Sequence, residues 1–114
     1  MPRRDWKLRI KDILESIAKI QRYTEGMTFE SFVADEMRID AVVRNITIIG
    51  EAAGRVPPEV QRRYPQIPWY EMRGIRNVVV HEYFGVSLSI LWQTVKQNLP
   101  PLVTMLKAVL EEEL

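Results

Sequence analysis

The sequence predicts an all-α protein, an up-and-down bundle of four or five helices. Glycine and proline are too few for a turn-rich β architecture, with five and seven in 114 residues. Apolar residues recur every three to four positions through most of the chain, which is the period of an amphipathic helix. Short connections between these stretches favour antiparallel neighbours. The length is that of one domain, which we expect to span residues 1–114.

The first helix is predicted within DWKLRIKDILESIAKIQRYTEG, and Gly26 is expected to end it. Its apolar stripe is predicted to comprise Leu8, Ile13, Leu14, Ile17, Ala18 and Ile20. The Lys and Arg residues between these positions are expected to form the solvated face. The stretch therefore predicts one long helix on the surface of a core.

The next segment predicts two helices with recognisable starts. Thr28 is a good N-cap for a short helical turn, and Asp35 for a helix from about Glu36 to Arg55. The apolar positions of that longer helix are Met37, Val42, Ile46 and Ile49. Gly50 and Gly54, with Ala53 between them, would let another helix approach closely.

Prolines mark the remaining boundaries. Pro57 and Pro58 are expected to start a short turn of helix. A further helix is predicted from Pro68 to Gly85. The last segment is apolar at helical spacing, and the double proline at 100–101 must kink or split it. Its acidic end, LEEEL, is expected to be a solvated tail, with a helix end or a partner contact as the alternatives.

Composition excludes several classes of protein. The chain has no cysteine, so it has neither disulfides nor thiolate metal sites. No apolar run approaches the roughly 20 residues of a membrane span, and the first residues lack the apolar core of a signal peptide. We therefore expect a cytoplasmic protein that does not contact a membrane. The net charge of +1 is too balanced for bulk nucleic-acid binding, so such binding would need a local cluster.

The stretch RGIRNVVVHEYFG, residues 73–85, contains the only histidine of the chain, His81. Its three valines would suit a strand. A helix separates the side chains better, because Met72, Ile75, Val78 and Val79 fall within an arc of roughly 120°. The polar residues Arg73, Arg76, Asn77, His81 and Tyr83 fall on the opposite side. Val80 interrupts this polar face, which hints that the face lies in a cleft or a dimer interface.

The polar face carries groups suited to cleaving RNA without a metal. The His81 imidazole can take a proton from a ribose 2′-hydroxyl or give one to the leaving oxygen. The Arg76 guanidinium can stabilise charge on the phosphorane-like transition state, and Asn77 can hold the imidazole or a phosphate oxygen. Arg73 is a candidate for a further phosphate contact. One subunit offers a single histidine, whereas a two-fold dimer would supply both a base and an acid.

Structural roles are the competing interpretation. A lone histidine in a helical protein is more often structural than catalytic. Arg73 and Arg76 would then pair with Glu51 or Glu71, and Tyr83 would pack at a helix end. Trp6, Trp69 and Trp92 can stack on bases, but their wide spacing favours core packing for at least two of them. Trp69 and Tyr70 are weaker candidates for walls of the cleft. No carboxylate pair, glycine-rich phosphate loop or metal-ligand spacing occurs, so we expect no cofactor.

The residues RNVVVHEY resemble the R-x4-H-x-Y signature of HepT-like proteins, a branch of the HEPN superfamily. Arg76, His81 and Tyr83 occupy its three named positions, and Asn77 matches the polar residue that commonly follows the arginine. The segment IGEAAGRVP, residues 49–57, and the long helix after the motif are similar to the same family. The resemblance covers most of the chain.

The resemblance implies a HEPN-like homodimeric bundle in which the paired motifs face each other across a cleft. It implies a metal-independent endoribonuclease, the toxin of a type VII toxin–antitoxin pair, whose partner is a minimal nucleotidyltransferase of the MNT type. That partner AMPylates the motif tyrosine, which corresponds to Tyr83 here. Two alternatives stay open. One is a non-catalytic nucleotide- or substrate-binding partner subunit of such a nucleotidyltransferase. The other is a helical dimerisation protein with a structural His81.

Overall fold

The computed structural model describes residues 5–75 and 88–113, and every regular element in these ranges is helical. The helices are α1 (Trp6–Thr24), α2 (Phe29–Val33), α3 (Glu36–Gly54), α4 (Pro58–Arg63), α5 (residues 69–75), α6 (Leu88–Gln93) and α7 (Leu99–Glu112). A π-helical turn, Thr94–Asn98, joins α6 to α7. The predicted all-α fold class is confirmed.

The predicted helix boundaries in the first half of the chain are confirmed by their caps. Gly26 has a φ of 74°, a left-handed conformation that glycine adopts readily, just after α1. The Thr28 hydroxyl accepts a hydrogen bond from the Ser31 N–H at 3.1 Å, and the Ser31 hydroxyl accepts one from the Thr28 N–H at 2.9 Å. The Asp35 carboxylate accepts from the Arg38 N–H at 3.0 Å. These caps satisfy N–H groups that the first turn of a helix leaves unpaired.

Helix α1 lies between α3 and α7 and is antiparallel to both. At one end, the Arg38 guanidinium donates to the Tyr23 carbonyl oxygen, which places the start of α3 beside the end of α1. At the other end, the Lys7 ammonium donates to the Glu113 carbonyl oxygen at 3.5 Å, which places the end of α7 beside the start of α1. The three long helices therefore run up and down, as predicted.

The buried stripe of α1 differs in part from the predicted one. Its fully buried apolar residues are Ile10, Ile13, Ile17 and Ile20. Leu8 is 39% exposed, and Ala18 is exposed as well, so their predicted places in the stripe were wrong. At about 100° per residue, Leu8 lies roughly 160° and Ala18 roughly 120° from the centre of the buried stripe. Their side chains therefore point away from α3 and α7.

The prediction that Met37 is buried was also wrong. Val42, Ile46 and Ile49 are fully buried on α3, as predicted, but Met37 is 83% exposed. It lies roughly 150° around the helix from the centre of those three residues. Spacing alone placed Met37 in the series, although its first-turn position faces solvent.

The double proline does not split the last helix. The Leu99 N–H donates to the Thr94 carbonyl oxygen, five residues back, so the backbone widens into a π turn immediately before the prolines. Pro100 and Pro101 then lie in the first turn of α7, where their missing N–H groups cost little. The wider turn gives their rings room beside the preceding carbonyl groups. The chain is therefore helical from residue 88 to 112, and the π turn shifts the hydrogen-bonding pattern from four to five residues between α6 and α7.

The acidic end is solvated at Glu111 and Glu112, which are exposed at the end of α7, but Glu113 is held against the bundle, so the expected solvated tail was wrong for Glu113. The Tyr64 hydroxyl donates to the Glu113 carboxylate at 2.6 Å, and the Arg63 guanidinium lies 3.4 Å from the same oxygen. Tyr64 is only 5% exposed. The hydrogen bond to Glu113 raises the pKa of Tyr64 to about 12, and burial and the charges of Glu112 and Glu113 act in the same direction.

The three tryptophans pack against the core, which confirms the structural interpretation for at least two of them. Trp69 is 6% exposed. Trp92 is partly buried, with its ring centroid 5.0 Å from that of Phe32. Trp6 is also partly buried against the core. Across the described ranges, no helix combines the length and apolarity needed to cross a membrane.

Candidate functional site

Four of the five candidate site residues lie outside the described residues. These are Arg76, Asn77, His81 and Tyr83, and their roles stay predictions. The fifth, Arg73, lies on α5 and is described. The structure therefore shows the chain that leads into the motif and the surfaces around it.

The start of α5 is anchored by the buried side chain of Trp69. The Trp69 indole N–H donates to the Tyr64 carbonyl oxygen at 3.0 Å, and the Met72 N–H donates to the Pro68 carbonyl oxygen at 2.9 Å. Pro68 therefore precedes the first helical residue. Its carbonyl group accepts the hydrogen bond of the Met72 N–H. Its own missing N–H costs no hydrogen bond at this position, because a residue before the helix has no helical acceptor to donate to. Trp69 and Met72 are both buried, so the axis of α5 is set by core packing.

The helical wheel predicted for this stretch is confirmed for Met72, Arg73 and Ile75, whereas the predicted continuation to Gly85, with its three valines, lies outside the described residues. Met72 is 2% exposed, and Ile75 packs partly buried against the core. Arg73 is exposed on the other side. The apolar face of α5 thus points inward and its polar face outward up to residue 75, immediately before Arg76.

Arg73 lies across the end of α3 and is held by a side chain of α4. A Cβ atom at Gly54 would stand 3.9 Å from Arg73 Cγ and 4.0 Å from Cδ, so the aliphatic stem passes over this glycine. This is ordinary van der Waals contact with a side chain, so the predicted close approach of another helix at Gly50 and Gly54 stays a prediction. The guanidinium donates to the Gln61 side-chain oxygen at 3.4 Å, and the Gln61 amide donates to the Val56 carbonyl oxygen at 2.9 Å. The hydrogen bond to Val56 therefore holds the Gln61 side chain in the position from which it accepts from Arg73.

Among the described residues, the Arg73 guanidinium thus contacts the neutral side-chain amide of Gln61. The structural interpretation placed Arg73 against Glu51 or Glu71. Within residues 5–75 and 88–113, neither carboxylate forms an ion pair with Arg73. In this part of the chain, the Arg73 guanidinium thus uses one donor on a neutral amide, and a guanidinium has five N–H donors.

Two clefts meet at α5. The α4–α5 cleft, about 430 Å³ in volume, has Gln61 and Arg62 on the α4 side. The α5–α7 cleft, about 740 Å³, has Thr94, Asn98 and Leu102 on its far wall. Four residues line both clefts and form the ridge between them, namely Pro68, Tyr70, Glu71 and Arg73.

Tyr70 is the aromatic residue exposed at this ridge. It is 77% exposed, whereas its neighbour Trp69 is 6% exposed and lines only the α4–α5 cleft. Of the two aromatic side chains suggested as cleft walls, Tyr70 presents its ring to solvent and Trp69 belongs to the core.

Sequence reasoning missed Gln61 and Arg62. Both belong to α4, which follows the prolines 57 and 58, and nothing in their local pattern indicates that they face α5. The only sequence signal is the pair of adjacent arginines at 62–63. One of these, Arg63, is bound to the C-terminal Glu113, and the other lines the α4–α5 cleft.

Metal ligation finds no support in the described ranges. Across residues 5–75 and 88–113, no three His, Asp or Glu side chains come together as metal ligands would. The polar side chains of α5 are the Tyr70 phenol, the Glu71 carboxylate and the Arg73 guanidinium, and the Gln61 amide faces them from α4. Guanidinium and amide groups can donate to an anion, whereas the Glu71 carboxylate opposes one.

Comparison with known proteins identifies similar chains over nearly the whole length. Residues 13–109 match the family model described as "Ribonuclease HepT-like". The chain is 41% identical over 100 residues to "Probable ribonuclease HepT" of Thermococcus cleftensis, covering 88% of this chain and 91% of the relative. It is 35% identical over 112 residues to "Putative RNase MJ1216" of Methanocaldococcus jannaschii, covering 98% and 93%.

A longer relative contains a similar helical unit. The chain is 39% identical over 110 residues to "Gamma-glutamylcyclotransferase and putative RNase MJ0434" of Methanocaldococcus jannaschii. The match covers 96% of this chain and 50% of that protein. No solved structure matches the chain.

Proposed function

The chain belongs to the HepT-like ribonuclease family of the HEPN superfamily, and from that premise we propose that it is a metal-independent endoribonuclease. It acts as the toxin of a type VII toxin–antitoxin pair in the cytoplasm. The observation that carries the proposal is the family match over residues 13–109, a range that includes Arg76, Asn77, His81 and Tyr83. The chain acts as a single domain, residues 1–114.

The reaction is an internal transfer at phosphorus. A base removes the proton of a ribose 2′-hydroxyl, and the oxygen attacks the adjacent phosphorus. The bond from phosphorus to the 5′-oxygen breaks, and an acid protonates that oxygen. The products are a 2′,3′-cyclic phosphate and a 5′-hydroxyl. His81 serves as base or acid, since imidazole changes charge near neutral pH.

Arg76 and Asn77 act on the same phosphate. Negative charge accumulates on the non-bridging oxygens in the transition state. A guanidinium aimed at those oxygens lowers the barrier by electrostatic stabilisation. Asn77 orients the imidazole or donates to a phosphate oxygen. Neither role needs a metal ion.

The site is composite. One subunit supplies a single histidine, whereas the reaction uses both a base and an acid. A two-fold homodimer with facing motifs supplies two imidazoles and two guanidinium groups to one cleft. The homodimer is therefore part of the proposed mechanism.

Tyr83 is the regulatory position. A minimal nucleotidyltransferase of the MNT type, the antitoxin, transfers AMP from ATP to the Tyr83 phenol oxygen. That oxygen attacks the α-phosphorus, its proton passes to a base, and pyrophosphate leaves. The added phosphate brings negative charge beside Arg76 and fills the place of the RNA phosphate. AMPylation thereby inactivates the ribonuclease.

The described part of α5 supports this arrangement. Arg73 is exposed on the polar face, one helical turn before Arg76 in the sequence, and its guanidinium keeps donors free of carboxylates within the described residues. A guanidinium at this point attracts the substrate strand toward the motif.

The test is RNA cleavage by purified protein in the presence of a chelator. Wild type is expected to cleave, and His81→Ala and Arg76→Ala are expected to lose cleavage while they still dimerise, as measured by light scattering. Arg22→Ala, at the far end of α1, is the matched control and should cleave like wild type. Cleavage retained by the His81→Ala dimer would remove His81 from the mechanism.

The same assay separates the alternative, a nucleotide- or substrate-binding partner subunit. In that case no variant cleaves, wild type included. The protein would instead raise the activity of a minimal nucleotidyltransferase of the MNT type added to the assay. Growth arrest on expression of the isolated protein favours the toxin and is not expected of a binding subunit.

A further inference from the structure

The α4–α5 cleft has no role in the chemistry proposed for the motif. It opens between Gln61 and Arg62 of α4 and Tyr70 and Arg73 of α5. We propose that this cleft is a subsite for single-stranded RNA beside the scissile phosphate, in which Tyr70 stacks on a base and Arg62 and Arg73 bind phosphates. The inference rests on the proposed function, because the strand it holds is the substrate.

Tyr70 has the exposure expected of a stacking platform. Its side chain is 77% exposed on a helix whose neighbouring Trp69 and Met72 are 6% and 2% exposed. Anchoring of α5 therefore does not depend on the Tyr70 ring. An aromatic ring that is open on a cleft wall can stack on any unpaired base, because every base has a π face.

The two arginines supply the charge. Arg62 is exposed, and within the described ranges it has no ion-pair partner, whereas its neighbour Arg63 is bound to Glu113 at 3.4 Å. Arg73 is already held by Gln61 at 3.4 Å, so less side-chain freedom is lost when it binds a ligand. Guanidinium groups match phosphate oxygens in a planar, bidentate way. The cleft thus has a ring and two phosphate-binding groups on facing walls.

The path of the strand follows from the residues that the two clefts share. Tyr70 and Arg73 line the α4–α5 cleft and also the α5–α7 cleft. A strand leaving the first cleft passes over this ridge. Consecutive Cα atoms are 3.8 Å apart, so the Cα atoms of Arg73 and Arg76 are separated by at most about 11 Å. The nucleotides in the cleft therefore lie within a few nucleotides of the phosphate that Arg76 binds.

Glu71 allows a test in which RNA binding becomes stronger instead of weaker. Its exposed carboxylate also lines the α4–α5 cleft. Negative charge there opposes phosphate binding. Neutralising Glu71 should therefore tighten RNA binding, whereas neutralising Arg62 should weaken it. These two opposite effects are expected of a negatively charged ligand such as RNA. A protein ligand whose charge is not known gives no reason to expect them.

The experiment measures binding of a fluorescent, fully 2′-O-methylated oligonucleotide of about twelve nucleotides by anisotropy across a salt series. The missing 2′-hydroxyl prevents cleavage, so the full-length wild-type protein can be used. Arg62→Ala and Arg73→Ala are each expected to reduce the slope of log K against log salt by about 0.7, the value for one phosphate contact to a single strand. Tyr70→Ala should weaken binding about fivefold or more with the slope unchanged, as loss of one stacked base predicts.

Matched variants separate the groups from the fold. Tyr70→Phe keeps the ring and should bind like wild type, and Glu71→Gln should bind more tightly. Arg22→Ala is the control arginine. It lies in the last turn of α1, about 24 Å along that helix from the end beside Glu113 and Tyr64.

The outcomes distinguish this inference from the proposed function. If wild type cleaves RNA but Arg62→Ala and Tyr70→Ala bind with wild-type affinity and slope, the subsite is overturned and the ribonuclease stands. If nothing is cleaved but the variants weaken binding as described, the α4–α5 cleft stands as a binding site for single-stranded RNA and the ribonuclease fails. Absence of any binding by wild type overturns the subsite.

Discussion

Replacing Gly54 by alanine tests the position of α5 against α3, on which the placement of Arg73 depends. The added Cβ would stand 3.9 and 4.0 Å from two carbons of the Arg73 stem, which is ordinary van der Waals contact. Gly54 is the last residue of α3 and has no positive φ. Alanine therefore fits and reduces the entropy of the unfolded chain. We expect the free energy of unfolding to rise by about 0.4–1 kcal/mol.

The measurement is urea unfolding followed by circular dichroism, with a thermal scan as a second reading. A gain of this size corresponds to a rise in Tm of about 2–6 °C for a domain of this length. Gly74→Ala is the matched control on α5, because a Cβ there meets no atom of residues 5–75 and 88–113 within 4 Å. A loss of more than about 1 kcal/mol in Gly54→Ala alone would mean that α5 approaches α3 more closely than described, as expected for overpacking.

Two further predictions concern the core and the C-terminal contact. Ile17→Ala should lower the free energy of unfolding by about 2–5 kcal/mol, because its fully buried side chain would leave a cavity, whereas Leu8→Ala, at a 39% exposed position, should have a much smaller effect in the same urea titration. Tyr64→Phe removes a hydroxyl whose pKa is raised from 10.0 to about 12 by its bond to Glu113. The stability difference from wild type should be constant below about pH 10 and shrink towards pH 12, since the folded state favours the protonated phenol; a difference that persists unchanged through pH 12 would contradict this bond.

Local signals explain which parts of the fold were predictable. Thr28 and Asp35 cap helices through hydrogen bonds to residues three positions away, so their sequence neighbourhood contains the whole interaction. The wheel of α5 also succeeded for Met72 and Arg73, because core contact decides which face turns inward.

Tertiary contacts explain the failures. Spacing indicates a stripe but not its centre, so Leu8 and Met37 were placed inside although they face solvent. The docking of Glu113 on Tyr64 joins residues 49 positions apart, and no pattern near either residue encodes it. The same holds for Gln61, which reaches Arg73 only because α4 folds back beside α5.

The most direct measurement of the central claim is mass spectrometry of the RNA ends produced by the purified protein in a chelating buffer. The account predicts fragments ending in a 2′,3′-cyclic phosphate with matching 5′-hydroxyl ends, and no such fragments from His81→Ala. Fragments with 3′-hydroxyl and 5′-phosphate ends, or cyclic ends still formed by His81→Ala, would contradict it.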